Sequence, residues 1–337
     1  MKSHNDQKLP LTVVTGATGI LGRHVVGGLL SSGRPVRAVS RRPRHSGLPS
    51  SVEVVAGDLH EPSTLEDAFT AASALVLIAV PETAVDVVTR ARATGIEHIV
   101  VVSSAAVTAG HDTTYNLPVE RAVQASGLDW SIVRPGEFAT NALLIWGPSI
   151  RSGRRVVEPY PEQAGNPIHE RDIADVVADL LDPGRRGRVD TIVGPDTLTK
   201  REQVAAIAAA VGDHIALDEV TPEQARSFYR EQGGFAADNA DWLYGLTGYD
   251  GVEGATDESL DVTPPPDSAY PTLTDVLGRP GRSYAQWAPR PRLRLHADRR
   301  PNRRTRARLN VALHPAAGRP LSPSGPGPEP QSGCVSR

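Results

Sequence analysis

The stretch "VVTGATGILGRH", residues 13 to 24, places Gly16, Gly19 and Gly22 within seven positions directly after an apolar run. Glycines at this spacing let another group come closer to the backbone than side chains would allow, and a helix opening there turns unpaired N–H groups and its positive end outward. A pyrophosphate suits such a turn, with Gly16, Thr18, Gly19, Ile20, Leu21 and Gly22 as its candidate contacts. The spacing G-A-T-G-x-x-G differs in its middle from the commoner G-x-G-x-x-G, and the same residues could also form a tight strand-to-helix turn that holds nothing.

A second chemical signal lies about 20 residues on, where sites for NAD place an acid against the ribose 2′-hydroxyl. This chain has Ser40, Arg41, Arg42 and, after Pro43, Arg44. A hydroxyl and planar guanidinium forks suit an anionic 2′-phosphate, so NADP(H) is the expected cofactor; a solvated charge run is the alternative.

Residues so spaced need a sheet edge to hold them. Apolar runs at 11–15, 36–40, 52–55, 74–80, 98–104 and 130–135 read as strands covered on both faces, and segments near 19–31, 62–72, 82–94 and 117–126 read as helices. This alternation predicts an α/β fold with a doubly wound parallel sheet. Further on, "IVGPDTLTKREQVAAIAAAVG" reads as a strand, a turn and a helix capped by Thr199 with Glu202 three residues later. Phe228, Tyr229, Trp242 and Tyr244 gather in a chain that is only 4% aromatic, which suits a cleft for a flat conjugated substrate or, equally, a small core.

The 337 residues, 39% of them hydrophobic, can bury a large core. The opening "MKSHNDQKLP" has no apolar signal segment, and the run at 74–80 is far short of a membrane span, so the chain reads as soluble and cytoplasmic. A lone cysteine, Cys334, excludes a disulfide framework, and the ten histidines lack ligand spacing, so no metal is expected. Of the net charge of −3, residues 289 to 337 contribute +9, leaving −12 on the rest. That arginine- and proline-rich stretch, without aromatics, is expected to be a disordered, dispensable tail, and its lack of stacking residues argues against a nucleic-acid partner.

The segments "TGATGILGRHVVGGLLSSGRPVRAVSRRP", "VVAGDLHEPSTLEDAF", "GIEHIVVVSSAAV", "SGLDWSIVRPGEFATNAL" and "HERDIADVVADLL" together resemble the NmrA-like branch of the atypical short-chain dehydrogenases/reductases, from about Leu11 to Trp287. The resemblance implies a Rossmann-type core over 9–150, with the remaining core elements and a small substrate lobe over 151–288. It also implies that Asp58 and Leu59 lie beside the adenine, Ala79, Val80, Pro81 and Ser103 beside the cofactor, and Pro135 to Phe138 near the nicotinamide. Asp58 could instead cap the helix near Pro62, and Asp172 is expected to cap or charge the start of helix 172–182, without chemistry.

The chain departs from the wider family at its Tyr-x-x-x-Lys pair, in which the lysine lowers the tyrosine pKa for proton transfer. Its lysines are Lys2, Lys8 and Lys200, none four residues after a tyrosine, and alignment on Glu120 puts Asp112 and Asn116 at the pair's positions. Tyr115 and His111 are the candidate proton donors, each with an ordinary surface reading beside it. The expected function is an NADPH-dependent reductase passing hydride to a small conjugated acceptor: a quinone, enone, iminium or dye. The alternative is a non-catalytic NADP(H) sensor acting through a protein partner.

Overall fold

The computed structural model describes residues 9–78, 80–244 and 271–288; Ala79 and the expected tail at 289 to 337 lie outside them. The strands are β1 (Thr12–Val14), β2 (Val36–Ser40), β3 (Glu53–Ala56), β4 (Ala74–Leu77), β5 (His98–Val102), β6 (Asp129–Pro135), β7 (Arg155–Glu158), β8 (Ala164–Gly165), β9 (Val189–Ile192), β10 (Leu198–Thr199) and β11 (Ala216–Glu219). Among the described residues, seven of them form one parallel sheet in the order β3-β2-β1-β4-β5-β6-β9. Connections run outward in both directions from the β1–β4 seam, so the carboxyl ends of these two strands flank the crevice where ligands sit in doubly wound sheets.

The apolar strand sequences are explained by burial on both faces. Consecutive residues of a strand point to opposite sides: Val14, Val76, Val100 and Val133 enter one core, and Val13, Leu75, Val101 and Ile132 the other. The first core is closed by α1 (Ile20–Ser31) and α8 (Glu170–Leu180), the second by α2 (Glu66–Phe69), α3 (Ala84–Ala93) and α5 (Asn116–Gln124), with the single turn α4 (Ala105–Thr108) after β5. The helix expected over 62–72 is shorter, a 3₁₀ turn at Pro62–Leu65 leading into α2. It ends where Ala71 takes a positive φ of 62°. The strand expected over 74–80 stops at Leu77 because the Thr15 side chain, not a strand neighbour, takes the Ile78 N–H.

The smaller lobe contains α6 (Asn141–Ile145), α7 (Gly147–Gly153), α9 (Lys200–Val211), α10 (Pro222–Gln232), α11 (Gly234–Asp238), α12 (Ala240–Leu243), the parallel pair β7–β11 and the antiparallel pair β8–β10. Residues from Ala139 onward already pack in its core, whereas α8 and β9 return to the sheet, so the lobe is discontinuous in sequence. Two terminal helices, α13 (Leu273–Leu277) and α14 (Tyr284–Trp287), close the structure. Leu273 and Val276 enter the sheet's core and Tyr284 the lobe's. Thr199 caps α9 in a full capping box with Glu202, as its sequence predicts.

Two expectations are corrected. Asp172 lies in the first turn of its helix, as the charge reading expects, but does not cap it: His169 does, its Nδ1 accepting from the Arg171 N–H. Asp172, 0% exposed, instead accepts from the Arg282 backbone N–H at 2.7 Å and pairs with the side chains of Arg279 and Arg282, tying the terminal segment to α8. The aromatic group does not line a cleft as a set. Tyr229 and Tyr244 are stacked 5.7 Å apart in the lobe core, Tyr229 donates to the Val157 carbonyl, and Phe228 packs edge-on to Tyr229 under Arg155.

Candidate active site

The cradle begins at Thr15, the first residue past β1. Its hydroxyl lies 3.1 Å from the Ile78 carbonyl and 3.3 Å from that of Val76, and accepts from the Ile78 N–H at 2.9 Å, locking the ends of β1 and β4 together. The chain then turns at Gly16, φ +59°, a conformation side chains rarely adopt. A Cβ on Gly22 would overlap the Gly16 carbonyl and the Ala17 Cα, so Gly22 lets the helix pack against its own turn. Gly19 differs: a Cβ there would meet only the Gly16 carbonyl, at 3.1 Å, so its bareness serves the outer face of the turn. Gly19 caps α1 with no side-chain hydrogen bond. The helix thus opens with the N–H groups of Ile20, Leu21 and Gly22 uncapped by any side chain, which is what a pyrophosphate requires.

Arg23, absent from the sequence reading, braces the cradle. Its guanidinium donates to the carbonyls of Thr18 at 3.0 Å, Ser46 at 2.6 Å and Gly47 at 2.9 Å, fastening the turn to the loop after β2. In that loop the buried Ser40 accepts from the Arg42 N–H at 3.1 Å, and Arg41 and Arg42 are exposed. Asp58 is not a helix cap: it accepts from the His60 N–H at 3.0 Å while its own N–H donates to Thr64. Thr83 donates to the Leu59 carbonyl at 2.6 Å, joining this turn to the segment after β4, where Val80 is buried. Ala79 lies outside the described residues. The glycine cradle, the uncapped helix start and the guanidiniums beyond β2 fit a 2′-phosphorylated dinucleotide.

Beyond β5, Ser103 is buried and donates its hydroxyl to Glu120. Glu120, 1% exposed, also receives the Arg134 fork at 2.9 and 2.5 Å, and Arg134 reaches Thr108 at 3.1 Å. This network fixes the carboxyl ends of β5 and β6 relative to α4 and α5. Asp112 and Asn116, at the positions of the lost dyad, are committed to each other: Asn116 Nδ2 donates to Asp112 at 2.6 Å, and Asp112 also takes the N–H groups of Tyr115 and Asn116. Neither offers the phenol and ammonium of a Tyr-x-x-x-Lys pair. Tyr115, half-buried at the start of α5, has its phenol pushed up to about 12, first by burial and then by Glu82 and Asp112, so it stays protonated at neutral pH. His111 is half-buried in the preceding loop, its N–H donating to the Ala106 carbonyl at 2.8 Å.

After β6, Gly136 donates to the Ile192 carbonyl at 2.9 Å, and Phe138 is buried opposite Ile168. Pro135 is also buried, and Glu137 between them pairs with Lys200 at 3.0 Å. Lys200 went unrecognised in the sequence, since its partner lies 63 positions away on another element and nothing in their local patterns links them.

A family model described as NAD(P)H-binding matches residues 16–183. The (4-alkanoyl-5-oxo-2,5-dihydrofuran-3-yl)methyl phosphate reductase of Streptomyces griseus is 32% identical over 287 residues, covering 82% of this chain and 96% of that protein. The NAD(P)H azoreductase of Xenophilus azovorans is 30% identical over 293 residues, with the same 82% and 96% covered. The crystal structure of Citrobacter sp. triphenylmethane reductase complexed with NADP(H) superposes with a TM-score of 0.65 at 21% identity, over 82% of this chain and 99% of that one. The chain therefore belongs to the NAD(P)H-binding family that includes these reductases, and it shares the fold of triphenylmethane reductase. It is an NAD(P)H-dependent oxidoreductase.

Proposed function

We propose that this protein is an NADPH-dependent reductase of small conjugated acceptors such as quinones, enones and azo or cationic dyes. The observation that carries the reading is that Asp112 and Asn116 hydrogen-bond to one another, alongside a glycine turn and an uncapped helix start that suit a dinucleotide. A bound reduced nicotinamide supplies a hydride. The chain's contribution is then to hold, orient and exclude water, by the Thr15 and Arg23 braces on one side and the Ser103–Glu120–Arg134 network on the other. Orientation of this kind is worth up to about 7–11 kcal/mol. Acceptors that take hydride at carbon or nitrogen and gain their proton from solvent need no strong acid, whereas an isolated ketone does. The names of the two relatives, one acting on an unsaturated lactone phosphate and one on azo compounds, support the same acceptor class.

The test monitors loss of nicotinamide absorbance with 2-cyclohexen-1-one, menadione, an azo dye and cyclohexanone. Turnover of one or more conjugated compounds with cyclohexanone inert is the expected result; efficient reduction of cyclohexanone would overturn the reading. For the cofactor, the exposed Arg41 and Arg42 lead us to expect NADPH to bind at least about tenfold more tightly than NADH, about 1.4 kcal/mol. Arg41→Asp narrows or reverses that ratio in calorimetry, and equal affinities in the unmodified protein would refute the preference.

A further inference from the structure

The segment after β6 carries a charge arrangement that hydride transfer alone does not explain. The Glu137–Lys200 pair keeps some access to solvent, with side-chain exposures of 24% and 19%, although its surroundings are closed. Pro135, Phe138 and Glu158 are buried, and the second Glu137 oxygen faces Gly165, where a Cβ would come within 3.0 Å of it. The ion pair stays partly open between buried neighbours and stands just past the carboxyl end of β6, one residue beyond Gly136. Beneath it lies Tyr284, 1% exposed, whose hydroxyl has no hydrogen-bond partner among the described residues. Glu137 and Glu170 are close enough to add to the effect of burial in holding that phenol protonated.

Lys200 is the cation of this cluster. Burial alone would lower its pKa, but Glu137 and Glu158 more than offset that and keep the ammonium charged. With Lys2 and Lys8 outside the described residues, it is the sole lysine described, and it is brought to the sheet edge by α9, not by the helix that carries the family's dyad.

We propose that the Lys200 ammonium, held by Glu137, is the acceptor-side cation of this reductase, pairing with the oxygen on which negative charge develops when an enone or quinone is reduced. The inference rests on the reductase reading above. For an enone, the acceptor gains hydride at its β-carbon, the carbon–carbon π pair shifts to form the enolate double bond, and the carbonyl π pair comes to rest on oxygen beside Lys200. A proton from solvent then forms the α-carbon–hydrogen bond, so the acceptor takes up one hydride and one proton in all. A preplaced charge at such an oxygen acts on the transition state more than on the neutral ground state. For a triphenylmethane cation, hydride removes a positive charge and no anion forms, so Lys200 gives no help. The pair thus sorts acceptors by the charge they develop.

The experiment compares Lys200→Met, Lys200→Arg and Glu137→Gln with the unmodified protein, using 2-cyclohexen-1-one and the cationic dye malachite green. In Lys200→Met the ratio of enone to dye kcat/KM falls about 100-fold, mostly in enone kcat, while NADPH affinity by calorimetry is unchanged. Lys200→Arg restores most of the ratio, and Glu137→Gln, which removes the group that positions the ammonium but leaves its charge, lowers it to an intermediate value. Equal losses on both acceptors, or no change on either, would overturn the assignment. A second readout is independent of turnover: with NADP⁺ present, the flat anion of 4-hydroxycoumarin binds the unmodified protein at least about tenfold more tightly than Lys200→Met. If no acceptor is reduced yet this difference appears, the reductase reading fails and the anion site stands. Identical or absent coumarin binding removes the site.

Discussion

At the scale of single residues, the three glycines separate into different tasks that their spacing alone does not distinguish. Gly22 has no room for a Cβ, whereas Gly19 faces outward with only one close neighbour. Gly22→Ala is therefore expected to lower the melting temperature clearly, because backbone, not a flexible side chain, stands in the way. Gly19→Val should cost only about 1 kcal/mol at the helix cap yet abolish NADPH binding in calorimetry. A Gly19→Val protein that binds normally would show that the turn's outer face is not the cofactor's. The strand-to-helix glycine turn is legible because its geometry is written in consecutive residues, and the proposed role of Arg41 and Arg42 rests on the same local run. Thr15, Arg23 and Lys200 are not legible, because each acts through a partner supplied by another element. Of the two readings of the aromatic cluster, the small core holds for Tyr229 and Tyr244; composition brings tyrosines together in sequence without saying which way they face.

Elements were read more accurately than side chains, since the strands' apolar runs and the helices' periodicity are local and the sheet's two-faced burial enforces them. What escaped was where each strand stops, which depends on a neighbour's hydroxyl or cap. The amino ends of β5 and β6 provide a prediction at this scale. His98 is buried, with Nε2 3.0 Å from the Ser131 hydroxyl, which in turn donates to the Arg185 carbonyl. Burial foremost, then Arg186 and Arg34, with Asp129 opposing, lower its pKa to about 4 from 6.5. His169, capping α8, is likewise lowered to about 4, chiefly by burial. A base whose folded pKa lies below its unfolded value takes up protons preferentially on unfolding, so stability is lost as pH falls from 6.5 toward 4. The loss reaches up to about 3 kcal/mol for His98 at the lower limit. Melting temperature should decline across this window, and His98→Gln should flatten the decline; an identical slope in the variant would exclude His98 as its source.

The whole molecule is closed by its terminal segment. Residues 271–288 bring Arg279 and Arg282 to the buried Asp172, Tyr284 into the lobe core and its N–H to Asp196 at 2.7 Å. A chain ending at residue 270 loses the Asp172 ion pairs and the burial of Leu273, Val276 and Tyr284, at a cost of about 3–5 kcal/mol or more. Its melting temperature should fall by about 10 °C or more. A chain ending at Ala288 should match the full-length protein in melting temperature and NADPH affinity, in keeping with the arginine- and proline-rich composition of residues 289 to 337. A drop in either would give that stretch a role. Closure also has an order in time, set by the Thr15 hydroxyl. Its partners, the backbone groups of Val76 and Ile78, lie 61 and 63 positions downstream. During synthesis the glycine turn is made before those residues, and the seam that shapes it forms only once β4 has emerged and docked beside β1. The motif nearest the start of the chain is thus completed late, and a nascent chain released before β4 carries the glycines without the means to hold a nucleotide.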